Sequence, residues 1–315
     1  MIMRRTPSSS RLPVLLAILV GIVALLGWHE PRFIEINNLI NILRQSSMVG
    51  LIALGMTLVI LTGGIDLSVG SLVAVSALAG AGAARAGVTF PLCWGAALAA
   101  GALLGMVNGL GVARLRLPPF IMTLGMMGFA RGLAFMVTGG KPLTGFDASF
   151  RWLGIGGWMG LPLPIWVFGG FFLVVWVLLE LMPWGDQVRS VGSSPRAAWG
   201  SGVNVPGVTA QVYVLCGVAS ALVGLLLAGR IDSAQPTAGV GYEFGAIAGV
   251  VFGGTSFSGG RGSLVGTVIG VLIMTVLESG MNMLNVNPFA EQVVKGVVIA
   301  AALVLYGRTG QALRG

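Results

Sequence analysis

Apolar runs free of charge alternate with short polar breaks along almost the whole chain, and the runs are long enough to be helices crossing a bilayer. A span needs roughly 20 apolar residues. The runs that qualify are Leu12–Trp28, Met48–Thr62 with room for an earlier start, Ser71–Ala86, Pro91–Ala113 and Phe120–Thr138. They continue with Leu163–Met182, Val208–Ala228, Phe244–Phe257, Ser263–Leu277 and Val293–Tyr306. The pattern predicts an all-α polytopic membrane protein of about ten transmembrane helices, some short enough to be broken or re-entrant. The first run follows Arg4, Arg5 and Arg11, as in a signal peptide. It is longer than the usual apolar core and lacks a small-residue cleavage site, so it reads as a retained first helix.

One break stands apart. Gly63 to Ser71 reads Gly-Gly-Ile-Asp-Leu-Ser-Val-Gly-Ser between two uncharged apolar runs. A carboxylate at such a place is expensive and marks a pathway, a cap or a partner contact. The glycines let the backbone leave helical geometry, which lipid tolerates only where protein or a water-filled cavity covers the freed groups. That is how a membrane carrier is built.

Composition narrows the class. Charged residues are 9% of the chain, hydrophobic ones 56%, and mean hydropathy is +0.94. Soluble domains carry about 25% charged residues. The 51 glycines suit helices whose backbones approach closely. Net charge is +8, but the basic residues are scattered between apolar runs with no aromatic-interleaved stripe, so nucleic acid is not a partner. The charge sets topology instead. With the N-terminus inside, inner segments hold Arg4, Arg5, Arg11, Arg114, Arg116, Arg189, Arg196, Arg261, Arg308 and Arg314. Outer ones hold Arg32, Arg85, Lys141, Arg151, Arg230 and Lys295. This predicts both termini cytoplasmic: a tail over 1–11, a single transmembrane domain over 12–307, and a tail over 308–315.

Two hydrophilic segments remain, an outer one from Gly139 to Pro164 and an inner one over 183–206. Within the latter, Ser193 to Trp199 reads as a short helix with a serine cap and an early proline, stopped by Gly200 or Gly202. Residues 55–73 and 246–265 echo each other, each with an apolar run, Gly-Gly, a polar stretch and Gly-Ser-Leu-Val. Duplicated carriers produce such echoes, and so does chance in a glycine-rich chain.

Several chemistries are missing. The only lysines are Lys141, followed by proline, and Lys295, followed by glycine, so no P-loop exists. Cys93, Cys216 and the single His29 cannot assemble a zinc or iron–sulfur site. No cofactor, metal or catalytic constellation is implied.

The nonapeptide resembles the signature of the permease subunits of bacterial ribose-type ABC importers for monosaccharides. Ser-Ala-Gln-Pro-Thr-Ala-Gly-Val-Gly-Tyr-Glu over Ser233–Glu243, Gly253-Gly254-Thr255-Ser256 and Gly259-Gly260-Arg261-Gly262 agree, as do Asn37-Asn38-Leu39-Ile40-Asn41 and Gly55-Met56-Thr57. The resemblance runs colinearly over about residues 33 to 307. It implies a cytoplasmic ABC ATPase subunit, a periplasmic or extracellular sugar-binding protein and a second permease copy in the lipid bilayer. It also implies that 183–206 carries the coupling helix, which touches the ATPase through Ser193, Arg196, Ala197, Ala198, Trp199 and Gly202, with Arg261 as a second contact. Departures exist: Gly192-Ser193-Ser194 stands where the family has Gly-Gly-Asn, Arg196-Ala197-Ala198 where it often has Glu-Ala-Ala, and Gly245 where an Asp is common. They bear on the partner ATPase and the substrate, not on the class.

Asp66 is expected to cap a helix starting at Leu67 or to touch sugar. Asn108 and Asn282 can hydrogen-bond sugar hydroxyls or join helices. Gln235 and Glu243 flank an outer Pro-Thr-Ala-Gly stretch where substrate would enter, either lining it or solvating the loop, and Arg131 is expected to pair with a carboxylate or backbone carbonyls. The rival reading is an ion-coupled secondary sugar transporter, which needs intramembrane carboxylates or an Asn/Ser/carbonyl set at a broken helix. Only Asp66 lies clearly at depth.

Overall fold

In the computed structural model, residues 11–287, 289–297 and 300 are described. The tails over 1–10 and 308–315 and most of the expected Val293–Tyr306 span lie outside them; the described part of that span over 293–297 continues a helical stretch that begins at 289. Twelve α-helices carry the rest of the described chain. They are α1 (Arg11–His29), α2 (Ile36–Leu61), α3 (Val69–Arg85), α4 (Leu92–Ala113), α5 (Pro119–Thr138) and α6 (Ala148–Ile155). Then follow α7 (Leu163–Trp176), α8 (Pro183–Ser193), α9 (Pro195–Gly200), α10 (Val205–Ile231), α11 (Tyr242–Phe252) and α12 (Leu264–Met283).

Seven described helices are long and apolar enough to cross a membrane: α1, α2, α4, α5, α7 with its π-helical continuation to Leu181, α10 and α12. Two expected spans, α3 and α11, are apolar but shorter. Both begin or end at a glycine-rich polar break. At 1.5 Å per residue α11 reaches about 16 Å, half of a bilayer's hydrocarbon core. Helix α2 starts twelve residues before the apolar run at Met48, because its polar first turns with Asn37, Asn41 and Gln45 are exposed while the turns from Ser46 on are buried.

The buried centre is α2, α3, α4 and α10, surrounded by α5, α7, α11 and α12. Helices α4 and α10 meet along Gly101, Gly105 and Gly109. A Cβ on Gly101 would strike the Gly217 carbonyl, one on Gly105 the Tyr213 carbonyl, and one on Gly109 would lie 2.6 Å from the Cα of Ala210. Glycine at every fourth position is what lets two backbones come this close. Helix α1 packs on α12 through Leu19, Ile22, Val23 and Leu26 against Val276 and Met283.

The two ends of the bundle differ. At one, strand β1 (Leu143–Thr144) pairs with β4 (Ser233–Ala234), and Asp232 accepts from the Phe146 amide at 2.9 Å. The 139–164 segment is not a plain loop: it also folds α6 and a small hairpin, β2 (Gly157–Trp158) with β3 (Leu161–Pro162). At the other end the Gly260 amide donates to the Leu61 carbonyl at 2.8 Å, and Gly192 packs on both. Segments assigned to one side by charge thus meet one another.

Candidate functional site

Helix α2 ends in a Schellman turn. Gly63 takes φ +82° and the Gly64 amide donates to the Val59 carbonyl at 3.0 Å. The chain then runs unwound through Ile65 and Asp66 before α3 begins. Asp66 is fully buried, and its Oδ1 accepts from the Ser68 amide at 2.9 Å and the Ser68 hydroxyl at 2.6 Å. The capping expectation is corrected in detail: α3 starts at Val69, not Leu67, and Asp66 ties down the turn ahead of it. The Ser68 hydroxyl in turn accepts from Asn108 Nδ2 of α4 at 2.8 Å, and Thr123 of α5 donates to the Ile65 carbonyl at 3.2 Å. The break is thus fastened to two neighbouring helices by side chains alone.

A second polar group lies against the first turn of α3. After β4 the chain turns into the bundle, burying Pro236 and Gly239, and α11 starts inside it. Arg131, midway along α5, donates to the Pro236 carbonyl at 2.5 Å and the Ala238 carbonyl at 3.0 Å, as expected of a cation in a span. Glu243 is buried, accepts from the Gly241 amide at 3.3 Å, and sets its Oε2 against Gly70, where a Cβ would lie 2.5 Å away. Only a glycine at 70 lets the Gly239 carbonyl and the carboxylate approach α3 this closely.

Of the expected pathway residues, Asp66 and Asn108 come together through Ser68, and Glu243 flanks the same helical turn. Gln235 is exposed between β4 and α11, and its carbonyl accepts from the Ala238 amide in a backbone turn. Asn282 takes the second of its two expected roles. It is exposed on the last turn of α12 and donates to the Glu278 carbonyl and to Glu291 Oε1 at 3.0 Å, so it joins helices there and is not near Asp66. Ser68 and Tyr213 were not singled out from the sequence. The signals were present: Ser68 sits inside the nonapeptide, and Tyr213 is one of three tyrosines, set in an otherwise apolar run.

At the other end, the short helix forms as its cap and proline dictate. Ser194 caps α9 by accepting from the Ala197 amide at 3.3 Å, and Pro195 opens it. Gly202 follows with φ +82°. Ser193 closes the preceding helix α8, which the sequence did not reveal; its hydroxyl donates to the Arg189 carbonyl. Arg196, Ala197 and Trp199 are exposed, Trp199 by 74%. Ala198 is a correction: it is 3% exposed and faces the bundle, so its methyl cannot meet an outside partner. Arg261 is exposed on a glycine loop whose Gly259 and Gly260 pack on Gly192 and Ser193, so both expected docking elements share one corner. Behind it, Arg189 donates to the Leu179 carbonyl and pairs with Glu180, fixing α8 to the π-helical end of α7.

Among the described residues no three His, Cys, Asp or Glu side chains gather as a metal site. What the bundle does hold is unwound backbone at depth, buried polar groups lining it and a rigid exposed corner below, the layout of a membrane permease. The comparisons with known proteins fix the family. A model described as the branched-chain amino acid transport system / permease component matches residues 38–303. The ribose import permease protein RbsC of Escherichia coli K12 is 45% identical over 295 residues, covering 92% of each chain. That of Bacillus subtilis is 47% identical over 292 residues, 92% of this chain and 90% of the relative. The galactose/methyl galactoside import permease protein MglC of Escherichia coli K12 is 38% identical over 307 residues, 91% of each. No solved structure matches. The chain belongs to this permease family and is a multi-pass inner-membrane protein.

Proposed function

We propose that the chain is the transmembrane subunit of an ATP-binding-cassette importer that moves a monosaccharide, with a ribose-like pentose favoured, into the cell. The carrying observation is the 45–47% identity to ribose import permeases over nine-tenths of the chain. In this reading the α9 end faces the cytoplasm. An ATPase subunit grips Arg196, Ala197 and Trp199 together with Arg261, and the strand-paired end meets a sugar-binding protein. A second permease copy completes the pathway, with Asp66, Asn108 and Glu243 beside it. The domain runs over 12–307 and both tails are cytoplasmic.

Proteoliposomes holding the chain, its cognate ATPase and its binding protein test this. ATP-dependent uptake of labelled ribose exceeding that of galactose or arabinose is expected, with no ATP hydrolysis by the chain alone. Preference for a branched-chain amino acid, as the family description would have it, would overturn the sugar reading.

A further inference from the structure

Asp66, Asn108 and Tyr213 are each fully buried, and each keeps one polar oxygen without a hydrogen-bond partner among the described residues: Asp66 Oδ2, Asn108 Oδ1 and the Tyr213 hydroxyl. The three residues are neighbours. Asn108 is joined to Asp66 through the Ser68 hydroxyl, by contacts of 2.8 and 2.6 Å. The Tyr213 hydroxyl lies where a Cβ on Gly64, two residues before Asp66, would be 2.6 Å away. The commitments are one-sided. Both Ser68 donors go to Oδ1 and the amide nitrogen of Asn108 goes to Ser68, which leaves over the second carboxylate oxygen of Asp66 and the one amide oxygen of Asn108.

No arginine or lysine forms an ion pair with Asp66 among the described residues. Arg131 of α5 is engaged by the Pro236 and Ala238 carbonyls. A carboxylate buried without a counter-charge is costly. Native proteins leave few buried polar atoms unpaired, and each such atom points to a missing partner.

We propose that the break between α2 and α3 binds a monovalent alkali cation, held by Asp66 Oδ2, the Asn108 side-chain carbonyl and the Tyr213 hydroxyl. The donor set is all oxygen, which suits hard cations and not zinc or copper. One carboxylate neutralises one unit of charge, so a divalent ion would leave a buried excess and a monovalent ion does not. Unwound segments of broken helices supply such coordination in other carriers. The ion would set the geometry of the unwound turn, a role independent of which solute the permease carries.

The test uses the purified full-length permease in nanodiscs, without ATPase or sugar, so its outcome is separate from that of the transport reading. Thermal unfolding is followed in lithium, sodium, potassium or choline chloride at constant ionic strength and pH. One alkali ion should raise Tm saturably over choline, by about 3 °C or more. Tyr213→Phe, which removes a single oxygen, should weaken the apparent ion affinity about tenfold. Asp66→Asn should abolish the response, while Glu278→Gln, a carboxylate on α12, should leave it intact. Should Asp66→Asn not fold, the wild-type ion series and Tyr213→Phe decide alone. Equal Tm in choline and all alkali salts would overturn the proposal, as would an ion response unaltered by Tyr213→Phe. A Tm indifferent to alkali ions but moved by pH, and only when Asp66 is present, would place a proton there and overturn it too.

Discussion

Helices α4 and α5 are neighbours, with five and three glycines, yet a row of three glycines does opposite things in each. In α4, Gly101, Gly105 and Gly109 lie against the backbone of α10, and any side chain would collide with it. In α5, Gly125, Gly128 and Gly132 would meet nothing within 4 Å if each gained a Cβ. That helix instead exposes Phe120, Phe129, Met136 and Val137. One glycine row is a seam between two helices; the other lies on a surface that lipid or another chain can cover. Glycine's meaning is set by what stands opposite, and that is not written in the residue itself.

The largest break in this contrast should come from Gly105→Val. Its side chain must push α10 away at the Tyr213 carbonyl, so a loss of about 1–3 kcal/mol is expected. It would be read as a fall in the thermal midpoint of the detergent-purified permease. A wild-type midpoint would mean that α4 and α10 are not held this closely.

Next is the unwound turn at Asp66, fastened to α4 and α5 by hydrogen bonds. Asp66→Leu loses the acceptor for both Ser68 donors and should cost about 1–2 kcal/mol, whereas Asp66→Asn keeps an acceptor oxygen and should fold nearly as well. Transport measured in both separates fold from charge. If Asn transports as poorly as Leu while remaining folded, the negative charge itself is needed, not the tie to Ser68.

Smaller still is the exposed corner. Ser194→Ala should weaken α9 locally by about 1 kcal/mol through loss of its cap. Trp199→Ala should leave the thermal midpoint alone and reduce ATPase binding, measured by co-purification. Unchanged co-purification with Trp199→Ala would move the contact to Arg261. The Ala198 position is unsuitable for such a test, because a bulky residue there would enter the bundle before it reached a partner.

The smallest effect has the opposite sign. Gly128→Ala adds a methyl to open space and a better helix former, so a gain of up to about 1 kcal/mol is expected. A loss would show that α5 is covered by a partner packed closely on Gly128.

Hydropathy located the long helices well, because a run such as Pro91–Ala113 has only one way to escape water. The short helix α9 was legible for a different reason: a serine, a proline and a glycine in the right order encode both of its ends locally. Three things were not readable. Helix α8 mixes buried Val188 and Val191 with polar residues, and its average is too hydrophilic for a span search. The inward turn at Pro236 depends on Arg131, over a hundred residues away, and no local pattern carries that contact. The meeting of Asp66, Asn108 and Tyr213 is likewise a matter of helix order. Individual residues in the sequence pointed to chemistry, but only the packing shows which of them share a place. Asn108 and Asn282 looked alike in the chain and separate completely in the fold.

The junction of Leu61, Gly192 and Gly260 has a consequence for how the chain can vary over generations. A side chain at 192 would strike the Leu61 carbonyl, and one at 260 would strike the Ser193 hydroxyl. Gly192 cannot be exchanged while the end of α2 stays where it is, and Gly260, at φ +73°, strains with any other residue. The two are more than 60 positions apart but form one heritable unit, open to drift only by a paired replacement that also re-seats α2. A descendant with a new partner subunit would therefore be expected to rewrite Arg196, Trp199 and Arg261 freely and leave the hinge beneath them untouched.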